Sequence, residues 1–344
     1  MMKAISWLND PVARSRNARP SFRALWGALV ALSLCGAAAA ADSVTLRVNV
    51  FPTAKILPMF VGVDEGIFAR HGLKVEVLHT ENSAQQREGL AAGAFDIAQS
   101  AVDNAVAMVD AAGKDVVIVM GISSGMNEFI VQPDIRSVPE VRGRTLIVDA
   151  PNTAYALVAK KILLNAGLRE GADYKVKPIG RGSARLEAFF ENREYAAAVM
   201  NPPFSILAVA KGMKSLGRTV DMLGPYQADG VFVMRAWARA NAQALERYLA
   251  AYVDSLRWAL DPAHRNQCIA MLKEKLKLPQ QVAERTYALL VDPAFGLTPE
   301  AKLDLQGFRN VLALRAEIEG GIAPPAEKYL DLSYYRRAIG TLGR

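Results

Sequence analysis

The sequence predicts an α/β protein of two lobes, each a mainly parallel sheet flanked by helices, with two crossover strands forming a hinge. Three observations predict it: a strand–helix alternation that runs twice through the first two-thirds of the chain, apolar runs too continuous for half-exposed strands, and a helical tail. Alternating strands and helices imply parallel sheets joined by right-handed crossovers. A chain of 344 residues with 51% hydrophobic content is long enough for two such lobes.

The first unit opens on VTLRVNVF, where Leu46, Val48 and Val50 alternate with Arg47 and Asn49 as in a half-buried strand. FPTAKILPMFVGVDEGIFARHGL follows as one helix, with Ile56, Phe60, Val63 and Ile67 on a single face and Gly72 at its end. KVEVL is the next strand, SAQQREGLAAG a helix closed by Gly93, and FDIAQS a third strand. The second unit repeats this order. GRTLIVDAPNTAYALVAKKILLNAGL reads strand, loop and helix, with Ala154, Val158, Ile162 and Ala166 four apart; YKVKPI, SARLEAFFENRE and YAAAVM complete it. DVVIVM and GVFVMR are apolar throughout, as expected of strands buried on both faces. GVFVMR is expected to pair with EFIVQP, so that the chain leaves the first lobe near residue 131 and returns near 226. From Asn241 onward the pattern is helical, with Leu245, Leu249, Tyr252, Leu256 and Leu260 as an apolar stripe expected to pack on the first lobe.

Residues 1–23 carry five basic side chains against Asp10 and precede ALWGALVALSLCGAAAA. A basic region, a short apolar stretch and a run of small residues are the order of a secretory signal peptide, with cleavage near Ala40 or Ala41. The apolar stretch is shorter than the roughly 20 residues a membrane span requires. Lipid attachment at Cys35 is not expected, because bulky Leu34 precedes it. The expected divisions are therefore a leader over 1–41, one lobe from 42–130 with 226–344, and a second lobe over 131–225. Without the leader, the 41 Lys/Arg and 34 Asp/Glu become 36 and 33, a net charge of +3. That balance gives no reason to expect nucleic acid as a partner. Cys268 would be the one remaining cysteine, which excludes an intramolecular disulfide.

The segments VNVFPTAKILPMFVGVDEGIFARHGLKVEV, LAAGAFDIAQS and GRTLIVDAPNTAYALVAKKILLNAGL resemble the periplasmic solute-binding proteins of ATP-binding-cassette importers. The similarity is to the branch that includes binders of alkanesulfonates, taurine, nitrate and thiamine-precursor pyrimidines, and it extends to the C-terminal EKYLDLSYYRRA. The resemblance implies the type II periplasmic binding protein fold and a periplasmic monomer without cofactors. It also implies delivery of a small solute to a membrane permease with a cytoplasmic ATPase. One departure stands in the second unit, where ENREYAAAV puts Asn192 at the turn and Tyr195 in place of an acid.

In open α/β sheets ligands bind beyond the carboxyl ends of the strands. This rule nominates Phe51, Thr53 and Lys55 after the first strand, Ser100, Asp103 and Asn104 after FDIAQS, and Ser123 and Ser124 after DVVIVM. From the second unit it nominates Asp149, Asn152, Thr153, Tyr155, Arg181 and Asn201, with Asp229 near the crossover. Asn152 or Thr153 caps a helix whose free N–H groups can meet an anion. Each Ser, Thr, Asn and Asp also reads as a cap, Lys55 also reads as a solvated charge, and Phe51 and Tyr155 read either as stacking aromatics or as core. Lys55 and Arg181 suit a sulfonate or nitrate. Asp103, Asp149 and Asp229 suit the donors of a small aromatic or heterocyclic solute.

Catalysis is not expected. His71, His79 and His264 form no triad or metal cluster, and no phosphate loop or dinucleotide fingerprint occurs. Pyrimidine-synthesising enzymes of this fold use an active-site histidine and stand as one alternative reading. A periplasmic sensor docking on a receptor is the other.

Overall fold

The structure, a computed structural model, describes residues 43–343. The expected signal peptide and Cys35 lie outside the described residues.

The first lobe is built from β1 (Val44–Val50), α1 (Leu57–Asp64), α2 (Ile67–Arg70), β2 (Leu73–His79), α3 (Ser83–Ala91), β3 (Ile97–Ala101), α4 (Asp103–Asp110) and β4 (Val116–Ser123). The second contains β5 (Glu128–Val131), β6 (Thr145–Val148), α5 (Ala154–Asn165), β7 (Lys175–Pro178), α6 (Gly182–Glu191), β8 (Tyr195–Met200), α7 (Phe204–Ala210), β9 (Lys214–Arg218) and α8 (Thr219–Leu223). The chain then returns through β10 (Asp229–Met234) to the helices α9 (Arg235–Ala240), α10 (Ala242–Leu260), α11 (Arg265–Leu276), α12 (Gln280–Leu290), α13 (Leu305–Glu319) and α14 (Ser333–Gly340).

The pseudo-repeat is visible in the strand orders, β2-β1-β3-β10-β4 in one sheet and β7-β6-β8-β5-β9 in the other. In each, four strands run one way and a single strand, β10 or β5, runs against its two neighbours. The expected pairing of EFIVQP with GVFVMR does not occur. β5 sits between β8 and β9, whereas β10 sits between β3 and β4. Insertion between two neighbours satisfies both hydrogen-bonding edges of each strand, which mutual pairing would leave partly open. The crossings are therefore short links, 124–127 and 224–228, rather than strands.

These links touch. A Cβ on Gly125 would lie 2.6 Å from the Ala228 Cβ, and the Gly125 φ of 102° already belongs to the region that glycine favours. The buried Asn127 side chain beside them has no hydrogen-bond partner among the described residues.

The helix expected across Ile56–Ile67 is broken. Gly66 adopts φ 67° between α1 and α2, and the rotation leaves Val63 44% exposed instead of on the buried face. Further along, the absence of an acid at Tyr195 is compensated locally. Asn192 Oδ1 accepts the Glu194 N–H at 2.9 Å, while in the first lobe Asp96 takes both the backbone and the guanidinium of Arg47.

Alternation along the strands divides the core. Val117, Val119, Val231 and Val233 face α1, α10 and α12, whereas Val116, Ile118 and Phe232 face the opposite side. On that side one apolar cluster runs through both lobes. It includes Phe129, Val131, Leu146 and Leu157 of the second lobe, together with Phe308, Val311 and Leu312 of α13. The tail was expected on the first lobe alone; α13 instead also packs on α5 of the second. Gly307 makes this possible, since a Cβ there would lie 2.6 Å from the Gln227 backbone nitrogen in the second link.

Candidate ligand cleft

The carboxyl ends of β1, β3, β4, β6 and β8 converge on a cleft with a cavity volume of about 70 Å³. Of the sequence-nominated residues, Phe51, Thr53, Lys55, Ser100, Asn104, Asp149, Thr153, Tyr155, Arg181, Asn201 and Asp229 line it. Ser83, Gln99 and Arg185 line it too, and the strand-end rule did not nominate them.

Lys55 lies at the floor. The chain leaves β1 at Val50 and tightens into a 3-10 turn over Ala54–Ile56, which buries the Lys55 side chain. Its Nζ donates to Asp229 Oδ2 at 2.5 Å and to the Tyr155 hydroxyl at 2.8 Å. Ser123 Oγ donates to the same Asp229 oxygen at 3.0 Å, so Ser123 acts behind the lining rather than in it. Burial opposes the Lys55 charge, but Asp229 and Tyr155 outweigh it and the pKa rises. The ammonium is thus fixed in its charged form, and Asp229 cancels its charge locally.

From the second lobe, Tyr155 stands in the first turn of α5 and Asn201 follows β8. Asn201 Nδ2 donates to the Tyr155 hydroxyl at 3.0 Å. Asp149, after β6, accepts from Ser83 Oγ at 2.9 Å and from Thr153 Oγ1. Opposite them in the first lobe, Ser100 Oγ donates to Gln86 at 2.5 Å, and Asn104 Nδ2 reaches Ser100 at 3.3 Å. At the mouth, Arg181 pairs with Glu81 at 2.5 Å. Polar contacts therefore cross from lobe to lobe around the cleft: Lys55 to Tyr155, Ser83 to Asp149, Glu81 to Arg181, and the Ala54 N–H to the Pro202 carbonyl at 3.4 Å.

Arg185 differs from the other two cations. It is 4% exposed, and the one hydrogen bond of its side chain among the described residues is to the Gly180 carbonyl. Burial lowers its pKa, partly opposed by Asp149 and Tyr155. A guanidinium nonetheless remains charged at neutral pH. The cleft thus contains a buried cation with no carboxylate bonded to it. Arg185 lies in the first turn of α6, where the helix dipole favours an anion and disfavours a cation. That unfavourable placement is the signal in the sequence that could have found it.

Three nominated residues point elsewhere. Asp103, one turn after Ser100, faces away from the cleft and forms a bidentate pair with Arg315. The Asn152 carbonyl accepts from the same guanidinium at 3.2 Å, and its side chain is outside the lining. Ser124 donates to the Phe295 carbonyl at 3.4 Å. None of the three histidines lines the cleft, and among the described residues no group of three or more His, Cys, Asp or Glu is placed to hold a metal ion. No described helix is long and apolar enough to cross a membrane.

The arrangement is that of the periplasmic binding proteins, and comparison with known proteins agrees. The periplasmic nitrate-binding protein NrtA of Synechocystis superposes with a TM-score of 0.70 at 13% identity, covering 88% of this chain and 89% of that one. The alkanesulfonate-binding protein SsuA of Xanthomonas axonopodis, bound to MOPS, gives 0.64 at 18%, covering 81% and 92%. The desulfurization enzyme DSZB shares the fold as well, at 0.59 and 14%, covering 86% and 99%. In sequence, a putative ABC transporter periplasmic binding protein of Brachyspira hyodysenteriae is 22% identical over 237 residues. That match spans 64% of this chain and 66%, just under two-thirds, of its relative. The profile of the NMT1-like family matches residues 39–273, and the chain belongs to that family.

Proposed function

We propose that this protein is the extracytoplasmic solute-binding component of an ATP-binding-cassette importer, exported to the periplasm by its leader. It captures a small organic solute bearing an anionic group between two lobes and presents it to a membrane permease. The observation that carries this reading is Arg185, a buried guanidinium in the interlobe cleft bonded only to a carbonyl. Keeping a buried guanidinium with no carboxylate bonded to it, only Asp149 acting on its charge from nearby, is costly, and an anionic solute lowers that cost. Lys55 and Arg181 are already matched by Asp229 and Glu81.

Capture follows from hinge closure. Opening about the links 124–127 and 224–228 separates Lys55 from Tyr155 and Ser83 from Asp149. A solute that touches both walls favours the closed form by its differential affinity for it.

The test is a thermal-shift screen of the chain from Asp42 onward against sulfonates, nitrate, aromatic carboxylates and pyrimidines. A solute at 100 times its dissociation constant stabilises by about 2.7 kcal/mol. The expected result is stabilisation by anionic members that Arg185→Met abolishes. Stabilisation by the uncharged pyrimidines alone would contradict the reading.

A further inference from the structure

A phenolic oxygen has one proton to donate and two lone pairs that accept. At Tyr155 both acceptor positions are taken. Lys55 Nζ, which has no lone pair when charged, donates at 2.8 Å, and Asn201 Nδ2 donates at 3.0 Å. The hydroxyl proton meets no acceptor among the described residues, although Tyr155 forms part of the cleft wall. We infer that Tyr155 selects the solute: its neighbours reduce it to an obligatory hydrogen-bond donor aimed into the cleft. The solute must therefore offer a bare acceptor beside Arg185, such as a carboxylate or sulfonate oxygen. An N–H at that place would meet the Tyr155 proton head-on.

This assignment rests on the reading of the cleft as a solute site, and it changes the part played by Lys55. Lys55 is a positioning residue. Asp229 pins its ammonium at 2.5 Å, and Ser123 holds the same carboxylate oxygen at 3.0 Å. The ammonium in turn occupies a Tyr155 lone pair that would otherwise accept from a solute. Burial also pushes the Tyr155 pKa up, only partly offset by Lys55, so the proton stays on the ring oxygen at neutral pH.

Acetate, acetamide and acetamidinium are small enough to test this at one point of the cleft, since they differ chiefly in charge and in N–H donors. Isothermal titration of the chain from Asp42 onward is expected to show millimolar acetate binding and none for acetamidinium. Tyr155→Phe should weaken acetate about tenfold, the cost of one hydrogen bond to a charged group. The paired substitution Lys55→Met with Asp229→Asn keeps the floor neutral while freeing a Tyr155 lone pair. It should therefore lower the preference for acetate over acetamide, a ratio that general loosening of the fold would not move in that direction. Circular dichroism confirms that each variant is folded. Absence of acetate binding by the wild type, full acetate affinity in Tyr155→Phe, or an unchanged ratio in the paired variant overturns the inference. The wider thermal-shift panel reads solute capture separately, so a hit there with a negative acetate result removes only the role given to Tyr155.

Discussion

Asp103 and Arg315 lie 212 residues apart in sequence and meet in a buried bidentate ion pair, with Oδ1 to Nε at 2.8 Å and Oδ2 to Nη2 at 2.9 Å. Arg315 also donates to the Asn152 carbonyl at 3.2 Å. It thereby fastens α13 to α4 of the first lobe and to the loop of the second lobe that carries Asp149 and Thr153. Arg315 keeps a second partner, Glu319 at 2.6 Å, so removing Asp103 leaves the buried guanidinium only partly compensated, at a cost of about 3 kcal/mol, the low end for a broken buried pair. Asp103→Ala should therefore lower stability by about that amount, measured by urea unfolding. A melting temperature equal to wild type would show that the pair is dispensable.

The opposite outcome is expected at Arg185. A buried guanidinium without a bonded carboxylate is retained at a cost to the fold, so Arg185→Met should leave the ligand-free melting temperature unchanged or raise it, while removing the response to anionic solutes. Differential scanning fluorimetry with and without solute reads both effects in one experiment.

Gly125→Ala strains the hinge twice, once through a φ of 102° and once through the 2.6 Å approach to the Ala228 Cβ. Strain of this kind costs about 1 to 3 kcal/mol. Chemical denaturation should show a loss in that range, and a neutral result would mean that the two links move apart at no cost.

Leu256 is 1% exposed in the core between α10 and the first sheet. Leu256→Ala should lower stability by about 2 to 5 kcal/mol. Titration of the variant below its melting range should give solute affinity close to wild type, because the residue lies away from the cleft.

Cys268 is fully buried, and burial pushes its thiol pKa up to about 12 from an ordinary 9.0. The native state keeps the proton where the unfolded thiol loses it. The unfolded state therefore binds fewer protons above pH 9, and stability falls as pH rises through that window. At pH 8 a thiol reagent should modify Cys268 only at the rate of unfolding; fast modification of the native protein would contradict its burial.

The alternation of strands and helices was legible because each unit had a clear period, and the cleft lining was largely legible because the ends of parallel strands converge. Long-range partners were not. The strand-end rule brought Asp103 toward the cleft with Ser100, but the first turn of α4 rotates it toward an arginine supplied 212 residues later. Periodicity treated 56–67 as one helix since nothing in the spacing marks the positive φ at Gly66. The partners of β5 and β10 were misassigned because an apolar strand shows that it is buried, but not between which neighbours. Arg185 is not nominated by the strand-end rule, although its place in a first turn sets it against the helix dipole.

The central claim is that the two lobes close on a solute held between them. Small-angle X-ray scattering of the chain from Asp42 onward, alone and saturated with the solute giving the largest thermal shift, tests it most directly. The account predicts a smaller radius of gyration with solute and a scattering curve matching the closed arrangement in which Lys55 reaches Tyr155. Superimposable curves for the free and saturated protein would contradict it.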